Sequence, residues 1–211
     1  MYLGIKGETV NGSIYFEEAF KNGAQGVILQ EIQITEDQKE KYKNKVVIIV
    51  KDTIKAMQQL ATYKRNMYNI PVVAITGSVG KTSTKDMVAN VMNQKFNTLK
   101  TEGNYNNHIG VPLTIFRLKN EEALTIEMGM NHFGEISTLT KIAKPTVCVI
   151  TNIGTAHIGN LGSRENILKA KLEILEGMSK DGTIVINNDN DLLHKWYLEN
   201  KEKYKIVTYG I

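Results

Sequence analysis

The stretch Val72-Val73-Ala74-Ile75-Thr76-Gly77-Ser78-Val79-Gly80-Lys81-Thr82-Ser83 limits the fold of this chain more than any other. An apolar β-forming run enters a turn with two glycines, and the turn opens a helical pattern that lasts to about Gln94. Glycines let a backbone bend so that its N–H groups face an anion. A helix N-terminus adds the positive end of its dipole. In that setting Lys81 reaches for the outer phosphates of a nucleotide, and the Thr82 hydroxyl is placed to hold Mg²⁺. The usual eight-residue phosphate loop carries a further glycine where this chain has Ile75, so the fit is to a shorter Gly-x-x-Gly-Lys-Thr form.

The rest of the chain suits such a loop. Strands are expected at Ala123–Glu127, Thr146–Thr151 and Thr183–Asn187, with helices near Ile136–Ile142 and Ser163–Met178. This alternation predicts an α/β fold with a mostly parallel sheet flanked by helices. Ligands of such sheets bind beyond the carboxyl ends of the strands. Upstream, Ser13–Asn22 reads as a helix with Phe16, Ala19 and Phe20 on one face. Gly26–Leu29 and Lys45–Val50 read as buried strands. Asp52 caps a helix that runs to about Tyr68, with Ile54, Met57, Leu60, Ala61 and Met67 as its apolar side. Asn69-Ile70-Pro71 is the expected boundary between a smaller α/β domain (1–69) and a larger one (70–211).

Composition narrows the function. Hydrophobic residues make up 42% of the 211 and charged residues 23%, an ordinary globular balance. Net charge is 26 − 22 = +4, too small for a nucleic-acid footprint and suited to an anionic small molecule. The single cysteine, Cys148, lies in an apolar run and reads as a buried small hydrophobe. No apolar run is long enough for a membrane span, and the first residues lack the apolar core of a signal peptide. A cytoplasmic location is the expectation.

Three residues stand out as candidate cation ligands. Glu127 ends an apolar strand, where a nucleoside triphosphate enzyme needs a carboxylate for Mg²⁺; the competing reading is a surface glutamate. His157 follows the strand Thr146–Thr151; the competing reading is a structural or exposed histidine. His108, His132 and His194 carry less weight, with His132 nearest a substrate by its neighbours. Lys171 is the most informative. On a helical wheel with Ile167 at zero, Leu168, Ile174, Leu175 and Met178 form an apolar stripe, and Lys171 falls at about 40°, inside it. Lys169, Glu173 and Glu176 fall on the opposite face. A lysine that snorkels from the edge of the core is the competing reading. A desolvated lysine favours its neutral, nucleophilic amine. That amine can react with a carbonyl, or with CO₂ to give an anionic carbamate that helps hold Mg²⁺.

Together these residues resemble a known family. Gly77-Ser78-Val79-Gly80-Lys81-Thr82, Asn104-Tyr105-Asn106-Asn107-His108-Ile109-Gly110-Val111-Pro112, Glu127-Met128-Gly129-Met130-Asn131-His132-Phe133-Gly134-Glu135-Ile136, Thr151-Asn152-Ile153-Gly154-Thr155-Ala156-His157 and Lys169-Ala170-Lys171 are similar in order and spacing to the Mur ligases. The Met128–Glu135 block looks most like the branch that joins D-alanyl-D-alanine to UDP-N-acetylmuramoyl-tripeptide. Gly4-Ile5-Lys6-Gly7-Glu8 with Asn22-Gly23-Ala24 resembles that family's N-terminal uridine-nucleotide domain.

The resemblance implies an ATP-dependent amide-bond ligase that works through an acyl phosphate. It implies that Gly77, Ser78, Val79, Gly80, Lys81, Thr82 and Ser83 cradle the phosphates and that Lys81 stabilises the transferring group. Thr82 and Glu127 would hold one Mg²⁺; His157 and a carbamylated Lys171 would serve a second. Asn188 would contact adenine, and Asn107 and Asn131 would lie on the substrate side. A complete member of the family is much longer. By the resemblance, the opening strands of the N-terminal domain are missing, the central domain is cut at Ile211 and the C-terminal domain is absent. The expectation is weak nucleotide binding without ligation by this stretch alone. The competing functions are a non-catalytic nucleotide-binding module, a small phosphate-loop kinase, and a sister-branch ligase for another amino acid.

Overall fold

The computed structural model describes residues 1–211. They form two units, Met1–Leu60 and Ala61–Ile211.

The first unit holds a three-stranded parallel sheet, β1 (Tyr2–Leu3), β2 (Gly26–Leu29) and β3 (Val46–Ile49), in that order. Helices α1 (Phe16–Lys21) and α2 (Glu36–Lys41) connect the strands. Phe16, Phe20, Val27 and Leu29 form its core. Thr35 and Gln38 make a reciprocal capping box that starts α2. The buried Ser13 hydroxyl donates to Gly4 O at 3.1 Å and accepts from Gln30 N at 2.9 Å, so the turn before α1 is tied to both strands. That turn is a 3-10 segment, Gly12–Tyr15, capped by Asn11, so the helix expected from Ser13 begins in full only at Phe16. The expectation of a buried strand at Lys45–Val50 is also corrected. β3 is an edge strand, and Val46, Ile48 and Ile49 are exposed.

Helix α3 (Thr53–Asn66) starts as expected, with Asp52 Oδ1 accepting from Lys55 N at 2.9 Å. Its buried stripe is narrower than the apolar pattern suggests. Met57 and Ala61 are buried, whereas Leu60 and Met67 are exposed. Arg65 occupies the next inward position at 6% exposure. Its guanidinium donates to the carbonyls of Ala143, Tyr68, Ile70 and Lys144. The division between units therefore falls inside α3, ahead of Asn69-Ile70-Pro71, because Ala61 already belongs to the second core.

The second unit continues with β4 (Val72–Thr76), α4 (Lys81–Met92), β5 (Thr98–Lys100), α5 (Gly110–Phe116), β6 (Ala123–Glu127), α6 (Glu135–Ala143), β7 (Val147–Ile150), α7 (Ile158–Leu161), α8 (Arg164–Leu172), β8 (Thr183–Asn187), α9 (Asp191–Asn200) and β9 (Lys205–Tyr209). All six strands are parallel, in the order β5-β6-β4-β7-β8-β9. Val72, Ala74, Leu124, Ile126, Cys148, Ile150, Ile184 and Ile186 point to one face and pack with Ile115, Leu139, Ile167 and Ile174. Val73, Ile75 and Val149 point to the other and meet Val88 and Met92 of α4. Both faces of the central strands are covered, which is why Val72–Ile75 reads as an unbroken apolar run. Burial pushes the Cys148 thiol up to about 12, in keeping with an inert packing residue.

One expected helix breaks in two. Ser163–Met178 is α8 followed by a 3-10 segment, Glu173–Gly177. The Ile174 carbonyl accepts from Thr140 Oγ1 at 2.7 Å, and a side chain at Gly177 would run into the backbone of Thr140. The segment is thus seated against α6 rather than continuing along the axis of α8.

Arg65→Met would leave buried carbonyls without a donor. Urea denaturation should show a loss of about 2–4 kcal/mol for this variant, several times the cost of an exposed substitution.

Candidate active site

Strand β4 lies between β6 and β7, so three loops meet at their carboxyl ends. Ile75 is in register with Glu127, and Thr76 with Ile150. The register puts the glycine turn, Glu127 and the Thr151–His157 loop side by side, although they are far apart in sequence.

The turn is held by its neighbour on the β7 side. Ser78 N donates to Asn152 O at 3.1 Å and Val79 N to Asn152 Oδ1 at 2.9 Å. Thr151 Oγ1 donates to Val79 O at 2.6 Å, and Gly154 N to Ser78 Oγ at 2.9 Å. Gly77 has φ +153 and Gly80 φ +81. A side chain at Gly77 would collide with Thr151 Oγ1. The sequence expectation that the loop amides as a group face an anion is therefore corrected for Ser78 and Val79. The amides that start α4, from Lys81 to Ser83, lack intrahelical acceptors and remain for that role. Lys81 Nζ folds back to Gly77 O at 3.0 Å.

On the β6 side, Thr82 Oγ1 donates to Glu127 Oε2 at 2.9 Å. Asn106 Nδ2 donates to Glu127 Oε1 at 2.8 Å, and Glu127 N donates to Thr101 Oγ1 at 3.0 Å. Glu127 is 2% exposed, so the carboxylate is held by protein donors rather than by bulk water. The surface reading of this residue falls away. A hydroxyl and a carboxylate in contact are a hard oxygen pair, the donor type Mg²⁺ takes when phosphate oxygens and water complete its shell.

Lys171 is 2% exposed, as the wheel predicts, and the snorkelling reading falls away with it. Burial, with Lys81 as a further cause, pushes its amine down to about 7. Burial also lowers the pKa of His157, and Lys171 and Lys81 push it the same way, while Glu135 opposes them. Lys81, His157 and Lys171 are thus near enough for the lysines to act on their neighbours' charge. His157 is the N-cap of α7, with the left-handed φ of +66 that is uncommon for a residue with a side chain.

A pocket of about 300 Å³ opens among these elements, with Lys81, His157, Asn107, Asn131 and Glu135 in its lining. Asn107 also caps the start of α5, with Oδ1 accepting from Ile109 N and Gly110 N. Asn131 N donates to Glu135 Oε2 at 2.6 Å. His108 lines this pocket as well. His132 is exposed beside it and is not among the lining residues. Asn188 sits apart, past the end of β8, where its N donates to Tyr209 O and its Oδ1 lies 2.9 Å from His194 Nδ1. Sequence reasoning missed the roles of Asn106, Thr101 and Asn152. The first and last lie within the quoted motifs, but their partners depend on strand order.

The model of the Mur ligase middle domain matches residues 75–211. The UDP-N-acetylmuramoyl-tripeptide–D-alanyl-D-alanine ligase of Bacillus subtilis is 40% identical over 211 residues, 100% of this chain and 45% of that protein. Its Escherichia coli counterpart is 37% identical, over 93% of this chain and 42% of that protein. Among solved structures, MurF from Acinetobacter baumannii superposes with a TM-score of 0.88 at 34% identity, covering 99% of this chain and 44% of that one. The MurF ligase of Thermotoga maritima in complex with ADP superposes with a TM-score of 0.87 at 32% identity, covering 99% of this chain and 46% of that one. The chain thus spans less than half the length of these relatives.

Two substitutions test this geometry. Gly77→Ala should unseat the glycine turn from Thr151 and cost about 1–3 kcal/mol in denaturant titration. Lys171→Met should stabilise the chain, by roughly 2–4 kcal/mol below pH 7, because a cation disfavoured by burial is removed. The wild-type penalty is full below the folded pKa of about 7. It fades as pH rises towards the unfolded value of 10.5, so the gain should shrink across that window. A gain that is flat from pH 6 to pH 10 would contradict the burial argument.

Proposed function

The chain belongs to the Mur ligase family, and we propose that it is the nucleotide-binding part of an ATP-dependent ligase that joins D-alanyl-D-alanine to UDP-N-acetylmuramoyl-tripeptide in peptidoglycan precursor synthesis. The observation that carries this reading is the buried Lys171 amine grouped with Lys81 and His157 beside the Thr82–Glu127 pair. A phosphate loop alone is common to many reactions. A desolvated amine at the loop suits the narrower chemistry named for the relatives.

In this proposal the second unit, Ala61–Ile211, is the central ATP-binding domain, and the first, Met1–Leu60, is part of a UDP-sugar-binding-like domain. The compartment is the cytoplasm. The α4 amides, with Gly77, Ser78, Val79 and Gly80 shaping the turn, receive the phosphates. Lys81 leaves Gly77 O to meet the transferring phosphoryl group. Thr82 and Glu127 would hold Mg²⁺, which when bound offsets phosphate charge. His157 and Lys171 would serve a second ion, Lys171 as its carbamate. That carbamate forms when the neutral Nζ attacks the carbon of CO₂. An N–C bond is made, one C=O π pair moves to oxygen, and the amine gives up a proton to water. A pKa of about 7 leaves most of the amine neutral above neutral pH.

Ligation then needs two displacements. The tripeptide carboxylate attacks the γ-phosphorus and ADP leaves. The amine of D-alanyl-D-alanine attacks the acyl carbon, phosphate leaves, and the amine loses a proton. Lys81 and the α4 amides, with Mg²⁺ when bound, would offset the mutual repulsion of carboxylate and triphosphate, which is the first obstacle. Asn107 and Asn131 are assigned to the substrate side of the pocket, and Asn188 to adenine.

Calorimetry of the 211-residue chain with Mg-ATP tests the reading. Measurable binding is expected, weakened at least tenfold by Lys81→Ala. Glu127→Gln should weaken it only when Mg²⁺ is present. With both peptide substrates added, no phosphate release is expected from this stretch alone. Absence of any nucleotide binding would sink the proposal, and robust turnover would overturn the expectation that the stretch does not ligate by itself.

A further inference from the structure

Glu173 has no part in the phosphate machinery, and the wheel sets it on the polar face of its helix. The structure uses it otherwise. Its Oε1 accepts from Gly134 N at 2.7 Å and its Oε2 from Ser137 N at 3.1 Å. These two amides bracket Glu135, the first residue of α6 and the carboxylate that lines the pocket with Lys81 and His157. Gly134, with φ +83, is the N-cap of α6 and has no side chain to cap the helix itself. Glu173 supplies the missing acceptor from outside, and a carboxylate is favoured there by the helix dipole. In sequence it stands two residues past Lys171, at the break between α8 and the 3-10 segment.

Resting on the ligase reading above, we propose that Glu173 is a positioning residue that locks the Lys171 segment to the Asn131–Glu135 wall of the pocket. One carboxylate ties two segments together. On one side the backbone that carries Lys171 is pinned at its C-terminal turn. On the other the start of α6 is pinned, and with it Glu135, whose Oε2 in turn accepts from Asn131 N. The neighbouring carboxylate, Glu176, also reaches α6, but by side chains only: Ser137 Oγ at 2.6 Å and Lys141 Nζ at 2.7 Å. It touches neither amide and does not line the pocket. Glu176 therefore serves as an internal control for loss of packing along the same helix.

The test compares the 211-residue chain with Glu173→Gln and Glu176→Gln. Gln keeps the size of the side chain but offers one oxygen in place of two. Two readouts report on Lys171: the ¹³C carbamate resonance in ¹³C-bicarbonate at pH 8, assigned by its loss in Lys171→Met, and the rate at which Lys171 is acylated by acetic anhydride, read by peptide mass. Glu173→Gln is expected to change the acylation rate at least threefold and to lower carbamate occupancy by a similar factor, with Mg-ATP affinity within twofold of wild type. Glu176→Gln should leave both Lys171 readouts unchanged. Equal Lys171 acylation in a folded Glu173→Gln chain overturns the proposal, as does an equal response in Glu176→Gln. A Glu173→Gln chain that does not fold cooperatively also overturns it, because the carboxylate then serves the whole fold. A wild-type chain with no carbamate signal counts against the ligase chemistry, while acylation still decides the role of Glu173.

Discussion

The close approach of the glycine turn to Thr151 and Asn152 underlies the rest of the site. Gly77 has room for no side chain there, and Asn152 holds two successive amides of the turn. That contact fixes where α4 begins. The start of α4 fixes Lys81 and Thr82, and Thr82 meets Glu127 across the sheet. None of these side chains is held by its own strand alone. Each depends on β4 lying between β6 and β7, which is a property of strand order and not of local sequence.

Charge gives the second constraint. Three basic groups share the carboxyl end of the sheet, and two of them are shifted towards their neutral forms by burial and by neighbouring lysines. An unpaired buried lysine is costly, and a fold that keeps one without a carboxylate partner bears a standing electrostatic penalty. The carbamate proposed above would turn repulsion from Lys81 into attraction and supply a ligand group for a cation. The chemistry proposed for Lys171 and the cost of its burial are thus two sides of one arrangement.

The features legible in the sequence were those with strong local signatures. The phosphate turn could be placed because glycine, lysine and threonine at that spacing follow an apolar strand. Lys171 could be found because a helical period exposes a cation within an apolar stripe, although the helix itself stops at Leu172. Other features were hidden for physical reasons. The apolar run of β3 looks buried, yet an edge strand leaves Val46, Ile48 and Ile49 exposed. Asn106 and Thr101 hold Glu127 only because of pairings and loop positions that follow from strand order. Glu173 read as solvent-facing, since no periodic pattern reports a bond to the end of another helix. Asn152 was visible as a letter in a motif, and its grip on the turn was not.

That grip has a thermodynamic consequence. A flexible glycine loop must be ordered when its ligand arrives, and the lost freedom weakens the net affinity. Here the folded protein orders the turn through its own asparagine. In the nucleotide-binding reading proposed above, little conformational entropy is left to lose in the turn, and the group that must move is the Lys81 arm bonded across it.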